Sequence, residues 1–471
     1  MTIRYDLVVI GAGPAGLAAA TSAARLGLDT LLLDEQPTPG GQIYRDIEAI
    51  GRLRSNDLGI LGDEYRRGLE LVAAFRASGA RYAPGSTVWY IGADGTIGVL
   101  AREGARLLAA RRIIVAAGAM ERPVAIPGWT LPGVMGAGAA QTLLKASGQV
   151  PAVPTVIAGS GPLTWLIVCQ LARAGVPVAG LLVTTPTERI RKALAEIPRA
   201  LRAGRELLKG IAWIREVNTR GIRIVTGVTT LAVEGKERAE AITFNASGEH
   251  SRIPARLILL HEGVIPHIQL TLAAGCRHVW DDAQLCWKPE TDNWGATSVD
   301  CIAVAGDGAG ILGAAASESL GRLAALDAAR RANRITGQQC DRDAEQDRKA
   351  LARHASVRPL LDRVFRPTPE LLVPDDDVTI VCRCEEVTVG ALRAAVADGA
   401  TDPNSAKLLT RCGMGPCQGR MCGSTVAALI ARERGLPIQT IGTGRVRFPV
   451  RPLPLSALAA LEGAVDMEPD E

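Results

Sequence analysis

The segment Arg411–Cys422 reads RCGMGPCQGRMC and contains Cys412, Cys417 and Cys422; upstream, VCRCEE supplies Cys382 and Cys384. Five thiols in one short region can bind a metal or a cluster, or pair as disulfides. The remaining cysteines, Cys169, Cys276, Cys286, Cys301 and Cys340, are scattered. The chain opens on MTIRYDLVVIGAG, without the charged segment and long apolar core of an export signal. A cytoplasmic setting is therefore expected, where clustered cysteines serve metal or redox chemistry rather than disulfides. Four thiolates can hold zinc or an iron–sulfur cluster. Structural zinc sites space each cysteine pair more widely than Cys382-x-Cys384 does. A [2Fe–2S] centre on four thiolates is anionic, and Arg383, Arg411 and Arg420 are adjacent in sequence to offset it.

A second chemistry is written at the other end. GAGPAG places Gly11, Gly13, Pro14, Ala15 and Gly16 after the apolar run YDLVVI and before LAAATSAARLG. The run predicts a buried parallel strand, and the sequel a helix ending near Gly27. DTLLLDE then predicts a second strand that delivers Asp34 and Glu35. This strand–turn–helix–strand order is the dinucleotide fingerprint. Gly11 makes the tight turn, Gly13 admits a pyrophosphate to the backbone, and Gly16 lets helix and strand touch. Asp34 is placed to accept from a ribose, and the helix N-terminus faces the phosphates. Three later segments favour FAD as the nucleotide. PGGQIYR brings Gly41 and Gln42 toward it, RRIIVAAGA is a strand ending at Ala117 and Gly118, and CIAVAGDGAG ends a strand at Gly306 and Asp307. A helix is expected to begin near Gly308, its N-terminus facing the flavin.

The pattern recurs from Thr155, where TVIAGSGPLT supplies Gly159, Gly161 and Pro162. Its third position is Thr164, a branched residue where close packing wants glycine, and the next strand ends without an acid. This fold is expected to be a scaffold, or to hold a nucleotide other than NAD(P)H. No CxxC occurs in residues 1–380, so disulfide reduction near the flavin is not expected. Cys169 lies on an apolar helix as a core residue. The 5 histidines are scattered and none is assigned to catalysis. A net charge of +4 over 471 residues gives no basis for nucleic-acid binding. No apolar run is long enough to span a bilayer, so membrane contact is expected only through a partner.

Residues 1 to about 335 resemble the flavoproteins with two dinucleotide-binding domains, including thioredoxin reductase-like enzymes. CRCEEVT…TRCGMGPCQGRMC resembles the bacterioferritin-associated ferredoxin-like [2Fe–2S] domain. That resemblance implies Cys382 and Cys384 as one ligand pair and Cys417 and Cys422 as the other, with Cys412 the alternative. The whole chain, including HEGVIPHIQL and RVRFPVRPLPLSALA, resembles the α subunits of hydrogen cyanide synthase, opine oxidase and dye-linked proline or hydroxyproline dehydrogenases. The implied fold is α/β, with a Rossmann-like FAD domain (1–122 and 260–335) and a second such domain inserted in it (123–259). A helical segment and linker (336–377), the small α-rich [2Fe–2S] domain (378–440) and a tail (441–471) complete it. The implied role is electron transfer in a heteromeric dehydrogenase of an amino acid, imino acid or opine. FAD and a [2Fe–2S] cluster would be its cofactors, with room for a second flavin or nucleotide in the complex. Its partners would be a catalytic β subunit, which carries its own flavin, and a small ferredoxin-like γ subunit. Two other classes fit the residues: an NAD(P)H-dependent reductase of a ferredoxin-like partner, and a non-catalytic assembly subunit whose cysteines hold zinc.

Overall fold

The computed structural model describes residues 4–461, so the tail is seen only to residue 461. Strand Arg4–Ile10 lies between Thr30–Leu33 and Gly104–Val115, all parallel, and Ile302–Val304 runs parallel to Gly104–Val115. Ile10 pairs with Leu33 and Val115, and Val115 with Val304. The strands therefore end in line, and the residues that follow them emerge along one carboxyl edge. Open α/β sheets bind their ligands at that edge. Leu7, Val8, Val9, Leu32, Leu33, Ile113 and Ile302 are buried between the layers.

Helix Pro14–Arg25 packs against helix Ala314–Arg331 through very small residues. A Cβ on Gly321 would fall 2.1 Å from the Ala15 carbonyl oxygen. The helix after Asp307 begins at Ala314 rather than near Gly308. A short 3-10 turn, Gly306–Ala309, comes first, and Gly310 (φ 141°) and Gly313 (φ 94°) hold the chain in conformations that interrupt a helix.

The inserted half has its own parallel sheet, ordered Ile224–Val225, Val178–Val183, Thr155–Ser160, Leu257–Glu262, Val134–Gly136. A three-stranded antiparallel sheet (Val228–Glu234, Ala241–Ala246, Glu249–Pro254) packs beside it. The two halves are joined by the antiparallel strands Ala119–Glu121 and Val264–Pro266. Cys169 is fully buried in the inserted half's core.

Helices Gly337–Ala355 and Arg358–Val364 lead to a small C-terminal domain. There helices Val389–Ala397, Pro403–Thr410 and Gly423–Arg434 surround a core of Leu392, Ala406, Leu429 and Ile430. Thr388 caps the first of these by accepting from Ala391 N–H, as its position before VGALRAA predicts. Asp402 and Ser405 form a capping box on the second. Among the described residues no helix is long and apolar enough to cross a membrane.

Candidate functional site

The carboxyl edge of the first sheet opens into a cavity of about 1550 Å³. Gly11, Gly13, Pro14, Ala15, Asp34, Glu35, Gly41, Gln42, Ala117, Gly118, Gly306 and Asp307 all line it. Gly16 stands behind it: a Cβ there would lie 1.8 Å from the Gly11 carbonyl oxygen, so only glycine lets helix and turn approach this closely. A Cβ on Gly41 would come within 2.7 Å of the Gly13 Cα, so two bare backbones form the floor. Asp34 accepts from Ala12 N–H (2.5 Å) and Gln36 N–H (2.6 Å), which fixes its carboxylate at the strand end. Burial raises its pKa, opposed by those two amides. Asp307 accepts from Leu312 and Gly313 N–H at 2.8 and 2.9 Å, and its burial likewise raises its pKa. A glycine floor, a helix N-terminus and two strand-end acids fit a dinucleotide such as FAD.

The wall facing the inserted half carries charged groups that sequence spacing did not single out. Glu121 accepts from Gly138 N–H at 3.1 Å, and its Oε1 lies 2.6 Å from His261 Nδ1. Arg122 is buried and donates to the Glu262, Leu285 and Gln284 carbonyls at 3.1, 2.8 and 2.7 Å. Lys145 donates to the Gln42 carbonyl (3.0 Å) and to Gln141 Oε1 (2.9 Å). Burial, with Arg45 nearby, pushes Lys145 down to about 7. Burial pushes Glu262 up to about 7, opposed chiefly by the Thr184 hydroxyl, which donates to it at 2.6 Å. Their only sequence signal was HEGVIPHIQL, which contains His261 and Glu262.

In the second fold the turn takes another path. Gly161 sits at φ 123°, whereas Gly13 sits at −76°. Thr164 is buried and its hydroxyl has no partner. His261 Nε2 lies 3.5 Å from where a Gly161 Cβ would stand, so an imidazole ring sits beside this turn.

The cysteines converge. The sulfurs of Cys382, Cys412 and Cys422, all buried, lie within 4.8 Å of one another. Hydrogen bonds from the Cys412 and Cys422 thiols, with the Gly413 and Glu385 amides, lower the Cys382 pKa. Cys384 is exposed and Cys417 half-buried. Burial raises Cys384, and the neighbouring Cys417 acts on it through both its amide and its thiol. Cys412 thus stands with Cys382 and Cys422, closer than its role as the spare thiol suggested. The structure therefore groups three thiols, a set that can hold a metal or cluster, with Cys384 and Cys417 outside that group.

This group abuts the large cavity. Arg420 lines the cavity and donates from Nε to the Cys417 carbonyl at 3.1 Å. A smaller cavity of about 120 Å³ is lined by Cys412 and Cys422 and shares Met120, Arg122, Gln269 and Arg420 with the larger one. Trp129, in the inserted half, donates from Nε1 to the Ile380 carbonyl at 2.6 Å, two residues before Cys382.

Two family matches divide the chain as the fold does. Pyridine nucleotide-disulphide oxidoreductase matches residues 5–332, and the sarcosine oxidase A3 domain matches residues 377–462. An opine oxidase subunit of Rhizobium meliloti is 43% identical over 97% of this chain and 88% of its own. Hydrogen cyanide synthase subunit HcnB of Pseudomonas aeruginosa is 34% identical over 96% of this chain and 98% of its own. Among solved structures, the L-proline dehydrogenase of P. horikoshii superposes with a TM-score of 0.72 at 18% identity, covering 97% of this chain and 79% of that one. The chain belongs to the pyridine nucleotide-disulphide oxidoreductase family, in the group that holds these opine oxidase and hydrogen cyanide synthase subunits, and is an FAD-binding oxidoreductase chain with a small C-terminal helical domain.

Proposed function

We propose that the chain is the electron-transfer subunit of a heteromeric dehydrogenase that oxidises an amino acid, an imino acid or an opine-type secondary amine. In this reading Gly11, Gly13, Pro14, Ala15, Gly16, Asp34, Glu35, Gly41, Gln42, Ala117, Gly118, Gly306 and Asp307 hold FAD. Cys382, Cys384, Cys417 and Cys422 hold a [2Fe–2S] cluster, with Cys412 the alternative ligand. Together such cofactors, when bound, turn a two-electron oxidation into one-electron transfer. The observation that carries the reading is the shared wall: Met120, Arg122, Gln269 and Arg420 separate the cavity beside the cysteines from the cavity beside the fingerprint. Electron exchange needs such proximity, whereas a zinc assembly site has no use for it.

The chain's own residues bind and insulate. Asp34 and Asp307, each held by backbone amides, would accept from a ribose and a ribitol hydroxyl respectively, over a layer of buried aliphatic strands. The substrate would be oxidised on a β subunit with its own flavin, which accords with the names of the relatives as subunits. A small ferredoxin-like γ subunit belongs to the same reading, as do a second flavin or nucleotide and a cytoplasmic complex that touches the inner membrane only through its partners.

The test is anaerobic purification of the chain with its partners from the native host. Flavin, iron and acid-labile sulfide are then measured, and amino acids, imino acids and opines are offered with an artificial acceptor. Iron and sulfide in equal amounts, with activity only in the complex, support the reading. Zinc without sulfide, or rapid flavin bleaching by NADH or NADPH in the isolated chain, overturns it.

A further inference from the structure

The run Thr187–Thr219 is almost continuously helical: helices Thr187–Ala193, Ile197–Ala200 and Gly204–Thr219 are joined by single 3-10 turns. Its inner side is accounted for. Ala200, Ala203 and Leu207 pack on Val357, Leu360 and Leu361 of the segment after the FAD-binding half. Its outer side is not. Ile190, Leu194, Ile197, Leu201, Leu208 and Ile211 are all exposed, between 38% and 66%. Their spacing alternates four and three residues, with Gly204 at the one place where the series lacks a large side chain. On a continuous helix that repeat sets an apolar seam; here the two 3-10 turns and the Ala203 backbone (φ −107°, ψ 41°) divide the run, so each helical piece carries its own part of the outward apolar face, Ile214 included. A helix apolar on both sides is built to be covered on both.

The charges beside the seam point to what covers it. Glu188, Glu196, Glu206 and Glu216 are each paired within the chain, with Lys192, Arg363, Lys209 and Arg173 respectively. Arg191, Arg199, Arg202, Arg205 and Arg215 are exposed, and among the described residues none has an ion-pair partner. A second copy presenting the same surface would set these arginines against their equals. A lipid surface would take the arginines but would also meet Glu188, Glu196, Glu206 and Glu216 of the same run.

We propose that this outer face is the docking seam for a partner protein that presents an apolar helical ridge flanked by Asp and Glu. Glu206, Lys209 and Trp213 of the same helix line the large cavity, so a partner seated here stands at the cavity's edge. The seam gives a place to the partner of the electron-transfer reading and rests on that reading only in requiring a hetero-complex.

The test uses the tagged chain in its native host. A photo-crosslinking residue at Leu208 should capture a co-purifying subunit through a peptide whose helix is apolar on one side and acidic at its margins. L208E/I211E and R202E/R205E, changed only at exposed positions, should each reduce that subunit's retention at least tenfold. Flavin content, iron content and melting temperature of the chain should be unchanged. If either variant also loses flavin or iron, Leu208→Ser/Ile211→Ser replaces it as a milder arm. Unchanged retention in all variants overturns the seam while leaving the cofactor reading intact. So does a wild-type homodimer that L208E/I211E dissociates, binding of the wild-type chain to phosphatidylglycerol vesicles with retention unaffected, or a wild-type chain isolated without any partner.

Discussion

Arg451 pairs with Glu35 at 2.8 Å, tying the C-terminal tail to the end of the second strand, where the nucleotide cavity begins. Phe448 against Tyr90, with ring centres 4.6 Å apart, and Val450 N–H on the Trp89 carbonyl at 3.1 Å hold the same segment down. Both charged partners are partly exposed, so the pair contributes at most about 1 kcal/mol to stability. Arg451→Ala should therefore melt within a few degrees of wild type. It leaves Glu35 uncompensated at the rim of a site that takes an anionic dinucleotide, and FAD should bind about five-fold more weakly. Flavin fluorescence titration reads this, and Arg451→Lys, which keeps a cation beside Glu35, should retain the affinity.

Arg420 is the arginine that can act on the cysteine group from within. Arg411 is exposed and pairs with Glu385 at 3.0 Å, and Arg383 is exposed. Arg420 is half-buried, bonds the Cys417 carbonyl and has no carboxylate partner among the described residues. Arg420→Gln should make reduction of the centre less favourable by about tenfold, which is about 59 mV for one electron. Arg420→Lys should recover part of it. A potentiometric titration followed by electron paramagnetic resonance decides, and identical midpoints would remove Arg420 from this role.

Glu262 makes stability depend on pH. Its folded pKa, raised by burial to about 7, exceeds the ordinary value of 4.5. Between those values the folded chain holds a proton that the unfolded chain has released, so stability falls as pH rises through the window. The full effect is on the order of 3 kcal/mol. Glu262→Gln should remove it, leaving the variant level with wild type near pH 4 and more stable at pH 8. Parallel melting curves across that range would refute the assignment.

Gly16→Ala tests the fingerprint sterically. Its Cβ would meet the Gly11 carbonyl oxygen at 1.8 Å, a contact that the helix can relieve only by moving off the sheet. The expected result is a chain without yellow colour, destabilised by about 1–3 kcal/mol. Gly27→Ala is the control. It has nothing within 4 Å of the new atom and a φ of 77°, and should cost about 1 kcal/mol without loss of flavin.

The cysteine ligand set is open to a paired experiment. Cys417→Ser should abolish the cluster's visible absorption with FAD retained, whereas Cys412→Ser should keep it. Loss in Cys412→Ser alone would exchange the two residues in the ligand set.

The fingerprint was legible because its physics is local. Strand, glycine turn and helix are contiguous in sequence, and the aligned strand ends then carry Asp34, Ala117 and Asp307 to one edge. The delayed helix after Asp307 was not legible, because its cause is the backbone conformation of Gly310 and Gly313 rather than any change in residue character. Which thiols meet was hidden for a similar reason. Arg411, Gly413, Gln418 and Gly419 all adopt positive φ, so the loop folds back on itself and separation in sequence says little about distance. Glu121 and His261 lie far apart in the chain and meet only because the two linking strands run antiparallel there.

The small C-terminal domain and the tail that follows it grip both halves of the molecule, the domain through Ile380 on Trp129 and the tail through Arg451 on Glu35. A two-strand hinge of the kind at Ala119–Glu121 would otherwise let the halves swivel. Held at two separate points, the hinge is braced from both sides, and the Met120–Arg420 partition lies between the two braces.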